Sequence, residues 1–202
     1  MGEPAKPKRT RLPPQARRND IVATAERLVL AQGHLPAPLD RLAMQAGVSK
    51  ALIYAYFPTQ HDLFNAVLLA QFDRLLAAGL EADAERPDLK SATLACALAY
   101  FDHIAREGPI IHVILRDPYM AGKLDPAVAA IRDRIVRRLA RTARRSLKLG
   151  AKETIAALSI MTTLPEEAGR LVHAGEMTLA RGREMTAMLV EAGVEALLPS
   201  AD

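Results

Sequence analysis

Two short helical segments joined at a glycine limit the possible folds of this chain more than any other feature. Residues 39–46 and 49–56 have helical composition, and Gly47 stands between them, where a tight turn needs a residue that tolerates positive φ. So short a turn holds two helices at a steep angle. The pattern predicts a helix–turn–helix that packs through Leu42 and Val48 against the preceding helix.

The remainder of the chain is also predicted to be helical. Hairpin signals and β-branched runs are missing, whereas Ala, Leu, Arg and Glu are frequent. Glycines and prolines divide the sequence into segments. The predicted helices cover about 18–32, 39–46, 49–56, a segment that opens at Thr59, 88–107, 110–116, 125–150, 152–174 and 178–198, with a kink at Pro165 in the helix over 152–174. The predicted fold class is therefore all-α.

Charge and proline content predict three parts of the chain. Residues 1–16 contain four prolines and a basic excess, and we predict a disordered basic arm there. Residues 17–80 form the helix–turn–helix domain with a bridging fourth helix, and residues 81–202 form a second helical domain, with the boundary near the acidic stretch 81–88. Such an arm is typical of nucleic-acid binding and equally of a solubilising tail.

Composition and motifs argue against several classes of protein. The chain is 50% hydrophobic and 25% charged, which is typical of a folded globular protein. Its single cysteine, Cys96, rules out a disulfide framework and a multi-cysteine zinc site. The most apolar stretch, 92–101, is far shorter than the ~20 residues of a membrane span, and the polar N-terminus is no secretory signal. We expect a cytoplasmic protein without membrane contact.

Catalytic signatures are not found in the sequence. It contains no G-x-S-x-G elbow, no phosphate-binding glycine loop and no H-E-x-x-H or E-x-x-H pair. Cys96 lies in an apolar segment, where an inert core thiol is the usual case. We therefore predict that the chain is not an enzyme and needs no cofactor or metal.

The helix after the turn has an outer face suited to DNA. Its predicted exposed residues are Lys50, Ala51, Leu52, Tyr54, Ala55 and Tyr56. Ile53 and Phe57 are predicted to point inward. A lysine can bind guanine, small apolar groups can contact a thymine methyl, and tyrosine hydroxyls can bind phosphate. The alternative is an ordinary pair of short helices inside a helical domain.

The stretch 33–63, GHLPAPLDRLAMQAGVSKALIYAYFPTQHDL, resembles the DNA-binding region of the TetR family of bacterial regulators. The best matching pieces are Leu42-Ala43, AGVS at 46–49 and IYAYF at 53–57. The resemblance implies a three-helix helix–turn–helix domain followed by a helical domain for ligand binding and dimerisation. It also implies a ligand-responsive transcriptional regulator, and we predict a repressor that a small molecule releases from a palindromic operator.

The resemblance also implies which residues contact DNA. The predicted set is Arg17, Arg18, Ser49, Lys50, Ala51, Leu52, Tyr54, Ala55, Tyr56, Thr59 and Gln60. In the family, the positions of Lys50, Ala51, Leu52 and Ala55 face bases, and those of Tyr54 and Tyr56 meet phosphates. Thr59 and Gln60 open the fourth helix, whose N-terminus points at a phosphate. Arginines of the arm, Arg9 and Arg11, together with Arg17 or Arg18, are candidates for an adjacent minor groove.

Three departures from the family pattern motivate an alternative function. Ala37 and Pro38 replace the usual Thr or Ser pair, Gln60 replaces a lysine, and His61 replaces a glutamate. Several phosphate contacts are therefore expected to be weaker, above all through Ala37, Pro38 and Gln60. The alternative is a helical small-molecule-binding protein whose DNA-reading surface has decayed.

The second domain matches no motif, so its predicted roles follow from the resemblance. The predicted ligand-binding residues are Tyr100, His103, Ile104, His112, Tyr119 and Met161. The alternative is the commoner case for each: an apolar residue of this kind is more often core than ligand wall, and a histidine is more often hydrogen-bonded inside the domain. Arg116, Glu166 and Arg170 are candidates to orient a polar ligand, and Glu166 with Arg170 can equally form a surface pair.

Two further features of this domain leave alternatives open. The last two long helices are predicted to form a homodimer, the alternative being that they pack only within their own domain. The basic face between Arg132 and Lys148 is predicted to be solvated and paired with the acidic last helices. The alternatives are that this face binds an anionic effector or an acidic partner.

Overall fold

The computed structural model describes residues 13–147 and 149–198, and in these residues the fold is all-helical. Most of the predicted arm, with Arg9 and Arg11, lies outside the described residues, as does Lys148 of the basic face. The helices are α1 (Pro14–Gln32), α2 (Leu39–Ala46), α3 (Lys50–Tyr56), α4 (Gln60–Ala77), α5 (Leu80–Asp83), α6 (Leu89–Glu107), α7 (Ile110–Arg116), α8 (Pro126–Ser146), α9 (Ala151–Met161), α10 (Thr163–His173) and α11 (Leu179–Leu197), with a 3-10 turn at Pro118–Met120. Within these ranges no helix is long and apolar enough to cross a membrane.

Local signals set the ends of the first four helices. Gly33 and Gly47 end α1 and α2 in the left-handed conformation, with φ of 75° and 63°. The Ser49 hydroxyl caps α3 by accepting a hydrogen bond from the backbone N–H of Leu52 at 3.1 Å. Thr59 and Asp62 form a reciprocal capping box at the start of α4. The predicted N-cap at Ser49 and the predicted capping box of Thr59 and Asp62 are both confirmed.

Two predicted helix boundaries are wrong, and proline explains both. Helix α1 begins at Pro14 and not at Arg18, so residues 14–16 are helical and do not belong to a disordered arm. The φ angle of proline suits the first helical position, where no N–H is needed. The single helix predicted over 152–174 is two helices, because Pro165 cannot donate to the carbonyl of Met161 and its ring crowds that carbonyl.

One continuous apolar core joins the helix–turn–helix to the helices behind it. The buried side chains of α1 to α4 form one cluster with those of α7 and with Val128 at the start of α8. Farther along the chain, α6 packs against α10 and α11 at two glycines. A Cβ at Gly169 would lie 2.7 Å from the Cβ of Ile104, and a Cβ at Gly182 would lie 2.9 Å from the Phe101 ring. These approaches therefore need glycine.

Candidate nucleic-acid interface and ligand cavity

Helix α3 presents the outer face that the sequence predicts. Ile53 and Phe57 are each 2% exposed and fix the helix to the core. The side chains around Lys50 on the opposite face are exposed, while Tyr56 is half-buried. The exposed set is Ser49, Lys50, Ala51, Leu52, Tyr54 and Ala55. Helix α3 therefore projects a mixed polar and apolar surface from a rigid support.

Lys50 is held by a partner that the sequence analysis missed. Its Nζ lies 2.6 Å from a carboxylate oxygen of Asp40 on α2. Both side chains are exposed, and an exposed ion pair contributes little free energy because water and salt screen it. Lys50 can therefore exchange Asp40 for an external acceptor at low cost.

The two arginines predicted at the domain edge make contacts within the domain. Arg17 pairs with Asp20 at 3.4 Å on the next turn of α1. The guanidinium carbon of Arg18 lies 5.0 Å from the centroid of the Phe57 ring, which is cation–π geometry. Arg18 thus stands beside the C-terminal end of α3 and ties it to α1.

At the start of α4, the two residues that depart from the family pattern make contacts inside the protein. The Gln60 Oε1 accepts a hydrogen bond from the backbone N–H of Ala37 at 3.0 Å and so steadies the entry to α2. The His61 ring stacks on Tyr119 with centroids 4.4 Å apart, and its Nε2 lies 3.2 Å from the Tyr119 carbonyl oxygen. Thr59 is occupied in the capping box. The side chains of Gln60 and His61 therefore serve contacts inside the protein.

Residues 117–125, here called the connecting loop, are bonded to the helix–turn–helix domain at several points. Asp117 Oδ2 accepts from the backbone N–H of Leu35 at 2.7 Å. The Asn65 side chain on α4 donates to the carbonyl of Lys123 and accepts from the N–H of Asp125, both at 2.9 Å. Asp125 is also the N-cap of α8, so the loop fixes the start of that helix relative to α4.

The structure contains a cavity of about 380 Å³, a size typical of small-molecule sites. Helices α4 to α11 all contribute to its wall. Most of the lining is apolar: Phe72, Leu75, Leu80, Cys96, Ala97, Ile111, Leu115, Ile135, Val136, Leu139, Leu158, Met161, Pro165 and Val190. Helices α7 and α8 line the cavity and flank the connecting loop, which is hydrogen-bonded to α4. A displacement of α7 or α8 at the cavity can therefore be transmitted through the loop to α4.

A few polar groups interrupt this apolar wall. His112 Nδ1 contacts Glu166 Oε1 and so links α7 to α10. Burial lowers the pKa of His112, and the nearby charge of Arg116 lowers it further. Burial raises the pKa of Tyr100 to about 12, so this phenol is neutral at physiological pH. Thr93 also lies on the cavity wall. It was not predicted, although it stands seven residues before Tyr100 and therefore on the same face of α6.

The predicted ligand-binding residues divide into two groups. Tyr100, His112 and Met161 lie on the cavity wall. His103 is buried instead against Gln71, with 2.6 Å between its Nε2 and the amide oxygen, and burial lowers its pKa to about 4. Ile104 packs on the tight helix crossing described above, and Tyr119 stacks on His61, so neither lines the cavity.

Two predicted charge pairs are corrected by the structure. Arg170 pairs with Glu167 at 2.7 Å, whereas the neighbouring Glu166 turns inward to His112. Among the side chains that the structure describes, the basic face of α8 pairs with α5 and not with the last helix, since Arg134 and Arg138 both reach Glu81, at 3.1 and 2.9 Å. The short α5 helix, which the sequence analysis missed, supplies this carboxylate.

The family relationship rests on the helix–turn–helix region. Residues 21–67 match the sequence profile described as "Bacterial regulatory proteins, tetR family". This segment of the chain is therefore similar to the TetR family. The matched segment contains α2, α3 and the start of α4, which are the elements that present the α3 surface.

Similar proteins and solved structures cover more of the chain. The HTH-type transcriptional activator FasR of Mycolicibacterium smegmatis (strain ATCC 700084 / mc(2)155) is 30% identical to this chain over 120 residues. The match covers 59% of this chain and about half, 53%, of that relative. A TetR-like transcriptional regulator from Rhodococcus sp. RHA1 superposes with a TM-score of 0.68 at 20% identity, covering 92% of this chain and 97% of the other. The transcriptional regulator FadR from Bacillus subtilis, solved in complex with stearoyl-CoA, superposes with a TM-score of 0.64 at 15% identity, covering 91% of this chain and 99% of the other. The two structural likenesses establish the TetR-type fold.

An apolar surface on α9 and α11 remains uncovered in the single chain. Its most exposed side chains are Ile155, Ile160, Leu179, Met188 and Leu189. These residues belong to the segments in which the resemblance places the dimer interface. Large apolar side chains that recur along two neighbouring helices are typical of a protein–protein contact.

Proposed function

We propose that this chain is a regulator of the TetR family and acts as a cytoplasmic transcriptional repressor that leaves a palindromic operator when a small molecule binds. The DNA-binding domain is placed at residues 17–80 and the effector-binding and dimerisation domain at 81–202. The observation that carries the proposal is the exposed face of α3 around Lys50, fixed by Ile53 and Phe57 inside a matching helix–turn–helix. A helix supported in this way can enter a major groove.

The proposed active form is a homodimer through α9, α10 and α11. The exposed apolar side chains of α9 and α11 support this assembly, since isologous contact with a second copy would cover them. A two-fold protein presents two α3 helices to an inverted repeat, and the half-site spacing then reports their separation.

The proposed effector site is the cavity between α4 and α11. Its apolar wall favours a ligand with a substantial apolar body. The B. subtilis FadR structure contains stearoyl-CoA, so acyl compounds are the first candidates for this chain as well. Because FasR is named an activator, the assay must also show whether this chain represses or activates transcription.

The connecting loop provides the proposed route from effector to DNA. A ligand that moves α7 or α8 also moves residues 117–125, which are bonded to α4 through Asn65 and His61. If the two arrangements of α4 differ in operator affinity, the ligand and the operator are linked through one conformational equilibrium.

Selection of bound duplexes from a randomised DNA library, at physiological salt, tests the regulator function. We expect an enriched inverted repeat. Unselective DNA that is lost as salt rises would refute it and would favour the alternative, a small-molecule-binding protein with a decayed reading surface. The internal contacts of Gln60 and His61 are the observations that favour this alternative.

A further inference from the structure

Arg74, in the last turn of α4, holds two carboxylates that come from two other helices. Its Nη1 and Nη2 donate to the two carboxylate oxygens of Glu26 on α1, at 2.9 and 3.2 Å. The same Nη1 donates to Oε2 of Glu107, the last residue of α6, at 2.8 Å. Among the ion pairs of the described residues, the pair of Arg74 with Glu107 is the only one that joins helices α1 to α4 to the later helices.

The two carboxylates are held unequally. The Glu26 side chain is 10% exposed and binds both terminal nitrogens of Arg74, whereas the Glu107 side chain is 37% exposed and binds one of them. Loss of the partner of a buried charge is strongly destabilising, but water can replace the partner of a half-exposed charge. The contact with Glu26 is therefore permanent, and the contact with Glu107 is the one that can open.

Glu107 stands at an unfavourable place for the helix that carries it. The C-terminus of a helix carries partial negative charge, so a glutamate in the last turn is repelled there. Arg74 offsets this repulsion, and it does so only while α4 keeps its present position beside α6. The neighbouring Gly108 packs against α1, since a Cβ there would lie 2.8 Å from Leu30 Cδ2. Charge and close packing therefore meet at the same end of α6.

The same helix reaches the 380 Å³ cavity. Ala97 and Tyr100 lie on the cavity wall, and the close crossing at Phe101 and Ile104 lies between them and Glu107. A helix held so closely at one point tilts about that point more easily than it slides. With the pivot at this crossing, a shift of about 1 Å at Ala97 moves Glu107 by about 0.7 Å. Such a shift stretches a hydrogen bond of 2.8 Å to about 3.5 Å, beyond its normal range.

We infer that Arg74 is a positioning residue that fixes the helix–turn–helix domain at one angle to α6, and that its bond to Glu107 is the part that opens. While this bond is made, α1, α4 and α6 move as one unit. The connecting loop holds the start of α4 and Arg74 holds its end, so the two contacts together define its position. The inference rests on the proposed function in one respect, that this angle matters for binding DNA.

The distance between two spin labels tests this inference in the full-length protein without DNA or ligand. Met44 on α2 and Arg144 on α8 are exposed, and both are replaced by cysteine to carry the labels. Burial raises the pKa of Cys96 to about 12, so this thiol stays unlabelled. Dilution with unlabelled protein removes distances between chains. We expect Glu107→Gln to widen the distribution of distances about twofold, because the angle is no longer fixed.

A graded variant and a control separate positioning from local helix stability. Glu107→Lys repels Arg74 and should widen the distribution further, although lysine is favourable at a helix C-terminus and should not weaken α6 itself. Glu195→Gln also removes an exposed carboxylate paired with α6, at 2.6 Å from Lys90, and should change nothing. Circular dichroism melts confirm that each variant is folded. An unchanged distribution in both Glu107 variants, or equal widening in Glu195→Gln, overturns the inference.

The spacing of selected half-sites gives a second readout that uses DNA. From inverted repeats with spacers of different length, the parent protein should select one spacing, because the angle of each helix–turn–helix is fixed. Glu107→Gln should accept neighbouring spacings with the same half-site sequence. An equally sharp spacing in both proteins contradicts the inference. A widened distance distribution, with no repeat selected by either protein, refutes the proposed regulator function and leaves the role of Arg74 standing.

Discussion

Replacing Asn65 by leucine tests the connection between the cavity and the DNA-binding helices. Asn65 is buried, and its amide makes two hydrogen bonds to the connecting loop, with the Lys123 carbonyl and the Asp125 N–H, both at 2.9 Å. Leucine has a similar size and keeps the apolar packing while removing both bonds, together with the bond that the Asn65 amide nitrogen also donates to the His61 carbonyl oxygen at 3.0 Å within α4. We expect the loop to separate from α4 without loss of the fold.

The expected magnitude follows from these two hydrogen bonds. A neutral hydrogen bond contributes about 0.5–1.5 kcal/mol net, so the pair contributes about 1–3 kcal/mol. Lys123 and Asp125 are exposed, so their backbone groups can turn to water, and the loss should be near the lower end, about 1–2 kcal/mol. Urea denaturation measures this loss. Asn19→Leu, on the exposed side of α1, is the matched control and should change stability by less than about 0.5 kcal/mol.

Linkage measurements separate coupling from stability. The ratio of operator affinities without and with saturating stearoyl-CoA, the first acyl candidate, gives the coupling between the two sites. In Asn65→Leu we expect this ratio to fall toward one, with operator affinity of the ligand-free protein within about threefold of the parent protein. A normal ratio in a variant that has lost 1–2 kcal/mol of stability would refute the role of the loop, because the bonds would then be structural only.

Three other predictions use the same reasoning. Asp40→Asn removes the carboxylate that holds Lys50 and a negative charge beside the DNA, so operator affinity should rise several-fold at low salt in a mobility-shift titration, while Glu195→Gln has no effect. Gly182→Ala forces a Cβ to within 2.7 Å of a side-chain carbon and should destabilise the protein by about 1–3 kcal/mol in thermal melts. His103 has its pKa lowered from 6.5 to about 4, so its contribution to stability is complete above pH 6.5 and is lost as the pH falls toward 4. His103→Gln should lose less stability over that window, by up to about 3 kcal/mol in urea titrations, and an equal loss would contradict this assignment.

Local chemistry explains why the helix–turn–helix was predictable. The ends of α2, α3 and α4 depend on signals within three or four residues, such as Gly47, the Ser49 cap and the box of Thr59 and Asp62. The buried positions Ile53 and Phe57 follow from helical periodicity alone. The break before Pro165 was predicted only as a kink, because whether a helix bends or stops at proline depends on its tertiary neighbours.

The contacts of the candidate sites were less predictable because their partners are distant in sequence. Gln60 bonds to a residue 23 positions away, and His61 to one 58 positions away. At both positions the sequence showed only a departure from the family pattern. Likewise, nothing near Thr93 indicates that its hydroxyl lacks the bond that Thr24 makes. Such features depend on which helices meet, and periodicity does not determine this.

The most direct test of sequence reading by α3 is the affinity of Lys50→Ala for the selected duplex and for a scrambled duplex of the same length. Lys90→Ala is a matched control, since Lys90 also pairs with an exposed carboxylate at 2.6 Å but lies on α6. We predict a loss of about 10- to 100-fold on the selected duplex, a much smaller loss on the scrambled one, and no change for Lys90→Ala. Equal losses of Lys50→Ala on both duplexes, or no loss on either, would contradict the account.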